Sequence, residues 1–215
     1  MESGIEYACF ISYSHSQGKV ISTFVDQLKE ALEDELGPLM HYKVFLDKER
    51  LTGGIDLDSR IPKALCKSIC MIVVYSPIYE ESSYCLREYY AMEMIERLRM
   101  KELCHIPKFD TANRMIIPII LRKSFNEVPD KLKVGNIYVD FSNYALFTQR
   151  ITKSKYFNPQ IRNIARHIDY HKQYLSNLNG LPGDCDQFVL PTEESARKEW
   201  IISRRDLQFP WRTSR

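Results

Sequence analysis

Five short apolar runs alternate with amphipathic helical patterns, and this alternation constrains the fold more than any other feature of the sequence. The runs are rich in β-branched and aromatic residues and are continuously apolar, which is typical of strands buried on both faces of a sheet. They occupy residues 7–13, 43–46, 69–75, 115–121 and 137–141. Because helical segments separate the strands, the sequence predicts a doubly wound α/β domain with a parallel sheet and helices on both faces.

The spacing of apolar residues predicts four helices. The first covers residues 20–36 and ends at a Gly-Pro pair. The second covers 57–67, with Pro62 placing its start near that proline. The third is capped by Ser82 or Ser83, and the fourth covers 158–178. The predicted apolar face of the third helix comprises Leu86, Tyr90, Met94 (or Ile95) and Leu98.

The distribution of charge and of tryptophan separates a body, residues 1–178, from a C-terminal extension, residues 179–215. Both tryptophans, Trp200 and Trp211, fall in the extension, so we expect it to pack on the body or on a partner. Of the 30 Lys and Arg and 28 Asp and Glu residues, six and four respectively lie in 192–215, which leaves 24 of each sign elsewhere. A neutral body lacks the clustered cations that nucleic-acid binding requires, so we expect no nucleic-acid partner.

The six cysteines do not form a zinc-binding pattern, since no CxxC pair occurs and no histidine has ligand spacing with them. Cys9, Cys66 and Cys70 lie in apolar runs and are predicted to behave as small buried hydrophobic residues. The first residues do not resemble a signal peptide, and no run approaches the roughly 18 apolar residues of a membrane span. We therefore expect a cytoplasmic protein with reduced cysteines.

Doubly wound folds bind ligands at the carboxyl ends of their strands, and here those ends are rich in hydroxyl groups. The sequence lacks a GxGxxG cradle, a P-loop and a GxSxG elbow, and its strand ends lack the acidic residues of a receiver domain. One carboxylate is well placed: Glu88 falls in the second turn of the third helix, one turn after Tyr84. The residues alone leave open whether Glu88 belongs to a site or is a solvated helix glutamate.

Three ordered blocks of the sequence resemble the TIR (Toll/interleukin-1 receptor/resistance) domain family. The first is ACFISYSH at 8–15. The second is VFLDKERL at 44–51, followed by Gly53-Gly54 and by IPKAL at 61–65. The third is IVVYSP at 72–77, continuing to SSYCLRE at 82–88. The resemblance covers residues 5–175 and implies a flavodoxin-like three-layer α/β/α fold with a five-stranded parallel sheet, here followed by the C-terminal extension.

The resemblance also implies an enzyme that cleaves NAD+, releasing nicotinamide and producing ADP-ribose or a cyclic or conjugated form of it. In the enzymatic branch of the family a helix glutamate, usually four residues after a tryptophan, is catalytic. Glu88 matches this glutamate, and Tyr84 stands where the tryptophan usually is. Neither a metal nor a cofactor is expected, because NAD+ is the substrate. The residues expected to bind it are Phe10, Ser12, Tyr13, Ser14, His15, Asp47, Lys48, Ser83 and Tyr84.

Alternatives remain for some of these residues and for the function itself. Core packing is an alternative role for Phe10 and Tyr13, and His15 is alternatively a solvated loop residue. For Asp47 and Lys48 the alternative is a cluster of surface charges. The resemblance further implies a homo-oligomer formed through the 47–56 loop, and a separate effector or trigger protein, as in stand-alone bacterial TIR enzymes of the Thoeris antiphage kind. No membrane partner is expected. The rival function is a non-catalytic TIR–TIR interaction module in immune signalling.

Overall fold

A five-stranded, all-parallel sheet forms the middle layer of the computed structural model, which describes residues 4–46, 57–122, 128–135, 137–142, 156–178, 180–181 and 183–205. The strand order is β2-β1-β3-β4-β5. Each strand falls within or nearly within one of the predicted apolar runs, and β3 is buried along its whole length. The strands are β1 (Tyr7–Ser12), β2 (Lys43–Leu46), β3 (Ser68–Tyr75), β4 (Ile116–Ile120) and β5 (Val139–Asp140).

Helices cover both faces of the sheet, which confirms the predicted three-layer α/β/α fold. On one face α1 (Gly18–Leu36) contacts α4 (Phe157–Leu175), and on the other α2 (Leu57–Cys66) contacts α3 (Ser83–Leu103). A fifth helix, α5 (Glu193–Arg205), packs against α3. Among the described residues, no helix is both long enough and apolar enough to cross a membrane.

Two helices differ from their predictions. α2 begins at Leu57 and contains Pro62, because a proline removes one backbone hydrogen bond without ending the turns that precede it. On α3, Leu98 is predicted on the buried face but is 42% exposed; of the two alternatives Met94 and Ile95, Ile95 is buried and Met94 is 39% exposed. Glu96 and Arg99 are buried there instead. Spacing rules fail on α3 because they assign every charged side chain to solvent.

A disulfide joins the end of α2 to the C-terminal extension. It links Cys66 to Cys185, whose Cα atoms are 5.4 Å apart. Cys66 is therefore buried as predicted, but the disulfide contradicts the expectation of fully reduced cysteines that supported a cytoplasmic location. Cys9 and Cys70 are free and buried as predicted, and burial raises the pKa of both thiols.

A buried charged cluster lies at the amino end of β3. The guanidinium of Arg99 is almost fully buried, and burial lowers its pKa to about 10, which leaves it charged at neutral pH. Nearby, Glu96 pairs with Arg114 at 2.5 Å. Arg99 ties the start of β3 to the end of α2, because it donates hydrogen bonds of 2.7–3.1 Å to the carbonyl oxygens of Cys66, Ser68 and Ile69.

His171 of α4 is fully buried near this cluster. Its ring contacts those of Phe109, His167 and Tyr170, and neither of its nitrogens has a hydrogen-bond partner within the described ranges. Burial, followed by repulsion from His167, lowers the pKa of His171 from 6.5 to about 3. The imidazole is therefore neutral in the folded protein at physiological pH.

Candidate functional site

The candidate site lies at the carboxyl ends of β1 and β3. These strands are neighbours in the sheet, and Ser12, the last residue of β1, pairs with Val73. After β3 the chain forms a 3-10 turn, Pro77–Glu81, and then enters α3. Tyr79 from the turn and Glu88 from the helix both reach the Ser12 hydroxyl.

Ser82 sets the start of α3 and with it the position of Glu88. Its hydroxyl accepts a hydrogen bond from the main-chain N–H of Cys85 at 3.4 Å, which is the usual role of a serine at a helix N-cap. The helix therefore begins at Ser83, within the predicted limits. This start places Glu88 in the second turn, where the helix passes the end of β1.

The carboxylate of Glu88 lies inside a network of hydroxyl groups. Glu88 is 2% exposed, and its Oε2 accepts a hydrogen bond of 2.6 Å from Ser12 Oγ. The hydroxyl oxygens of Ser12 and Tyr79 are 2.9 Å apart, and the Tyr79 hydroxyl also donates to the carbonyl oxygen of Cys85 at 3.2 Å. Glu88 is thus not a solvated helix glutamate.

The Tyr79 phenol stays protonated in this network. Burial above all raises its pKa well above the usual range, and the neighbouring Cys85 and Glu88 add to this effect, although the hydrogen bond with Ser12 lowers it. A protonated phenol can donate a hydrogen bond but carries no charge. The ionisable groups that meet at Ser12 are therefore a neutral phenol and the single carboxyl group of Glu88.

An open cleft of about 490 Å³ lies between the chain that follows β1 and the start of α3. None of the three network residues lines it, but Ser14 and Ile78, which are close in the chain to Ser12 and Tyr79, do. Tyr84, one turn before Glu88, is 45% exposed at its edge, and the Arg87 guanidinium carbon lies 5.7 Å from the centre of the Tyr84 ring. Serine hydroxyls and the N-terminus of α3 suit the hydroxyl and phosphate oxygens of a ligand. Half of the lining residues are serines, and the full set is Ser14, His15, Ser16, Ile78, Glu81, Ser82, Ser83 and Tyr84.

The other residues predicted to bind substrate fall into three groups. Phe10 is buried in the core, where its ring stacks on that of Phe45 with centroids 5.1 Å apart. Tyr13 is also buried, and its ring stacks on that of His15 at 4.5 Å, next to the cleft. Two predicted residues, Asp47 and Lys48, lie outside the described residues together with the rest of the 47–56 loop.

The sequence patterns do not single out Tyr79, although it contacts Ser12. A lone tyrosine in a short turn has no periodicity, and its distance from Ser12 along the chain is 67 residues. Its position just after Pro77, at the end of a buried strand, is the one available signal. No three His, Cys, Asp or Glu side chains in the described part of the chain are grouped so that they could hold a metal ion.

The sequence is similar to a known family of domains. The family model for the TIR domain matches residues 9–153, which is more than half of the chain. Among solved structures, the TIR domains of the activated Roq1 resistosome directly recognizing the pathogen effector XopQ are 19% identical to this chain. The match covers 91% of this chain and 98% of that chain, with a TM-score of 0.38. No curated protein matches the chain significantly.

Proposed function

Because the chain belongs to the TIR domain family, we propose that it cleaves NAD+ at the N-glycosidic bond to nicotinamide, with Glu88 as the catalytic residue. The observation that most directly supports this proposal is the position of the Glu88 carboxylate. It is held by Ser12 at the ligand-binding edge of the sheet, beside a cleft lined with hydroxyl groups.

Cleavage of the N-glycosidic bond requires one well-placed carboxylate. Breaking the bond between ribose and nicotinamide passes through an oxocarbenium-like transition state, as in glycoside hydrolysis. The leaving group is already cationic and departs as neutral nicotinamide, so little acid catalysis is needed. The carboxylate of Glu88 stabilises the positive charge that develops on the ribose, a contribution of a few kcal/mol in a water-poor site.

The cleft supplies groups for the rest of the substrate. Ser14 and Ser83 offer hydroxyls to the ribose and diphosphate oxygens, and the positive end of the α3 dipole favours the diphosphate. The exposed ring of Tyr84 offers a flat surface for stacking, in the place of the usual tryptophan. His15, stacked on Tyr13, also lines the cleft.

Glu88 must become accessible before it can act, because its carboxylate is 2% exposed and bonded to Ser12. We assign this step to assembly. The 47–56 loop follows Leu46 in the sequence, and Leu46 pairs with Ile11, the neighbour of Ser12. A homo-oligomer formed through this loop then gives the substrate access to the Glu88 carboxylate. Turnover per protomer is expected to rise with protein concentration.

The expected setting is innate immune or antiphage defence. The product is ADP-ribose or a cyclic or conjugated form, depending on which nucleophile reaches the ribose first. Such a product would act as a signal on a separate effector protein, and a separate trigger would promote assembly. NAD+ is consumed as the substrate, so the reaction requires no further cofactor.

A second function is favoured by one observation. A carboxylate that is buried and hydrogen bonded, as Glu88 is, also serves to hold α3 on β1 without any chemistry. In that case the chain is a non-catalytic TIR–TIR interaction module.

Incubation of the concentrated full-length protein with NAD+ separates the two functions. Chromatography then reads free nicotinamide and the adenine-containing products. The enzyme releases nicotinamide and adenine products in equal amounts, at a rate per protomer that rises with protein concentration. No nicotinamide release at any concentration at which the protein self-associates contradicts the enzymatic function and favours the interaction module.

A further inference from the structure

The C-terminal extension contacts the segment that carries the candidate site. Trp200 of α5 is 4% exposed and lies against the 3-10 turn and α3. Its ring centre is 6.4 Å from that of Tyr79 and 5.2 Å from that of Tyr89. Lys131 closes the remaining side, with its ammonium 4.7 Å from the centre of the Trp200 ring and 4.6 Å from that of Tyr89.

A hydrogen bond also orients the Trp200 ring in this packing. The indole N–H of Trp200 donates to Glu80 Oε2 at 3.4 Å, and Glu80 Oε1 accepts a hydrogen bond from the Tyr75 hydroxyl. Tyr75 is the last residue of β3, and Glu80 follows Tyr79 in the turn. The indole therefore fixes the 3-10 turn against the end of the strand, and the turn presents Tyr79 to Ser12.

Both chain neighbours of Glu88 are held by the extension. Arg87 Nε donates to the carbonyl oxygen of Pro191 at 2.8 Å, and Tyr89 packs edge-on against Trp200. The extension is itself fastened to α2, through the Cys66–Cys185 disulfide and an ion pair of 3.4 Å between Lys63 and Asp186. The rotation of α3 about its axis at Glu88 is thus set by groups outside the sheet.

We propose that Trp200 is a positioning residue of the site, which sets Glu88 and Tyr79 relative to Ser12 without touching substrate. This inference rests on the proposed NAD+ cleavage for its kinetic consequence, but not for its structural one. A displacement of a catalytic group by about 1 Å lowers the rate up to 100-fold. None of the described residues of the extension lines the cleft. Loss of the indole therefore lowers kcat and leaves KM nearly unchanged.

The variants Trp200→Ala and Trp200→Phe test this role in the full-length chain. Ile201→Ala is the matched control, because Ile201 is the next residue of α5 and is 47% exposed. Two quantities are measured: the kinetics of nicotinamide release, and hydrogen–deuterium exchange of backbone amides in peptides covering residues 76–90 and α1. The exchange measurement needs no turnover.

For Trp200→Ala we expect kcat to fall at least about tenfold, KM to change by less than about threefold, and exchange to rise in 76–90 but not in α1. Trp200→Phe keeps the buried ring and loses the N–H, so it should fold and show a fall in kcat of about threefold with an intermediate rise in exchange. Ile201→Ala should match the wild type in both measurements.

Three results overturn the proposal. The first is wild-type exchange in 76–90 for both Trp200 variants. The second is a change in KM with kcat retained, which would place Trp200 in substrate binding. The third applies if Trp200→Ala fails to fold: it is a Trp200→Phe protein whose kcat, and whose exchange in 76–90, equal those of the wild type. If the wild-type protein releases no nicotinamide, the proposed function fails, and exchange in 76–90 alone then decides whether Trp200 positions the turn and α3.

Discussion

The buried, neutral imidazole of His171 makes the stability of this protein depend on pH in a way that one substitution can remove. The ring is fully buried, and its pKa is about 3 in the folded protein against 6.5 in the unfolded chain. His167 and Arg99 both disfavour a proton on this ring, and burial also lowers the pKa of His167 itself. The Arg114 carbonyl, already hydrogen bonded to His167, favours the charged ring, but burial outweighs this effect on the pKa of His171.

The direction of the effect follows from where protons bind. Below pH 6.5 the unfolded chain protonates His171 while the folded protein does not, so the free energy of unfolding falls as the pH falls. The contribution of the neutral imidazole to the free energy of unfolding is fully present above pH 6.5, and it is lost as the pH falls from 6.5 to about 3. At about 1.4 kcal/mol per pH unit, the loss reaches about 3 kcal/mol at a pH about two units below 6.5.

The variant His171→Phe keeps an aromatic ring of similar size and removes the titration. It also removes two buried nitrogens without hydrogen-bond partners among the described residues, so at pH 7 we expect it to be at least as stable as the wild type. Urea unfolding followed by far-UV circular dichroism, at intervals from about pH 7 down to pH 4.5, gives both curves. As the pH falls, the free energy of unfolding of the wild type should decrease more steeply than that of His171→Phe, by up to about 1.4 kcal/mol per pH unit. Parallel curves would refute the assignment of a buried neutral imidazole.

Three further substitutions test other parts of the structure. Arg99→Met leaves three buried carbonyl oxygens without this donor and should lower the free energy of unfolding by about 3 kcal/mol, measured by urea unfolding; a loss below about 1 kcal/mol would contradict its role. Cys185→Ser opens a loop of 119 residues and should lower the free energy of unfolding by about 2–5 kcal/mol, whereas Cys104→Ser, at an exposed free cysteine, should lower it little. Alkylation of the unfolded, unreduced wild type should label four thiols, and labelling of six would contradict the disulfide. Ser12→Ala removes a hydrogen bond to Glu88 and should cost about 1–2 kcal/mol and lower kcat/KM several-fold; unchanged values of both would contradict the network.

The sheet could be predicted from the sequence because its strands are buried on both faces. Five continuous apolar runs admit few other structures, and the observed strands follow them closely. The start of α3 could also be predicted, because a serine at a helix N-cap is recognised from the local sequence. The position of Glu88 in the second turn followed from that start.

The rest depended on contacts between distant parts of the chain. Spacing rules assign Leu98 to the core and Arg99 to solvent, because they take no account of the three carbonyl oxygens, at the end of α2 and the start of β3, that accept hydrogen bonds from the buried guanidinium. The pairing of Cys66 with Cys185 and the packing of Trp200 on the turn after β3 depend on the path of the extension. No periodic pattern encodes that path.

The measurement that tests the central claim most directly is the rate of nicotinamide release by Glu88→Gln against that of the wild type. Glutamine keeps the size of the side chain and can still accept a hydrogen bond from Ser12, but it carries no charge. Glu102→Gln is the matched control, since Glu102 is exposed in the last turn of the same helix. We expect a loss of about 100-fold or more for Glu88→Gln, equivalent to about 3 kcal/mol of transition-state stabilisation, and a wild-type rate for Glu102→Gln. A folded Glu88→Gln protein that releases nicotinamide at the wild-type rate would contradict the account.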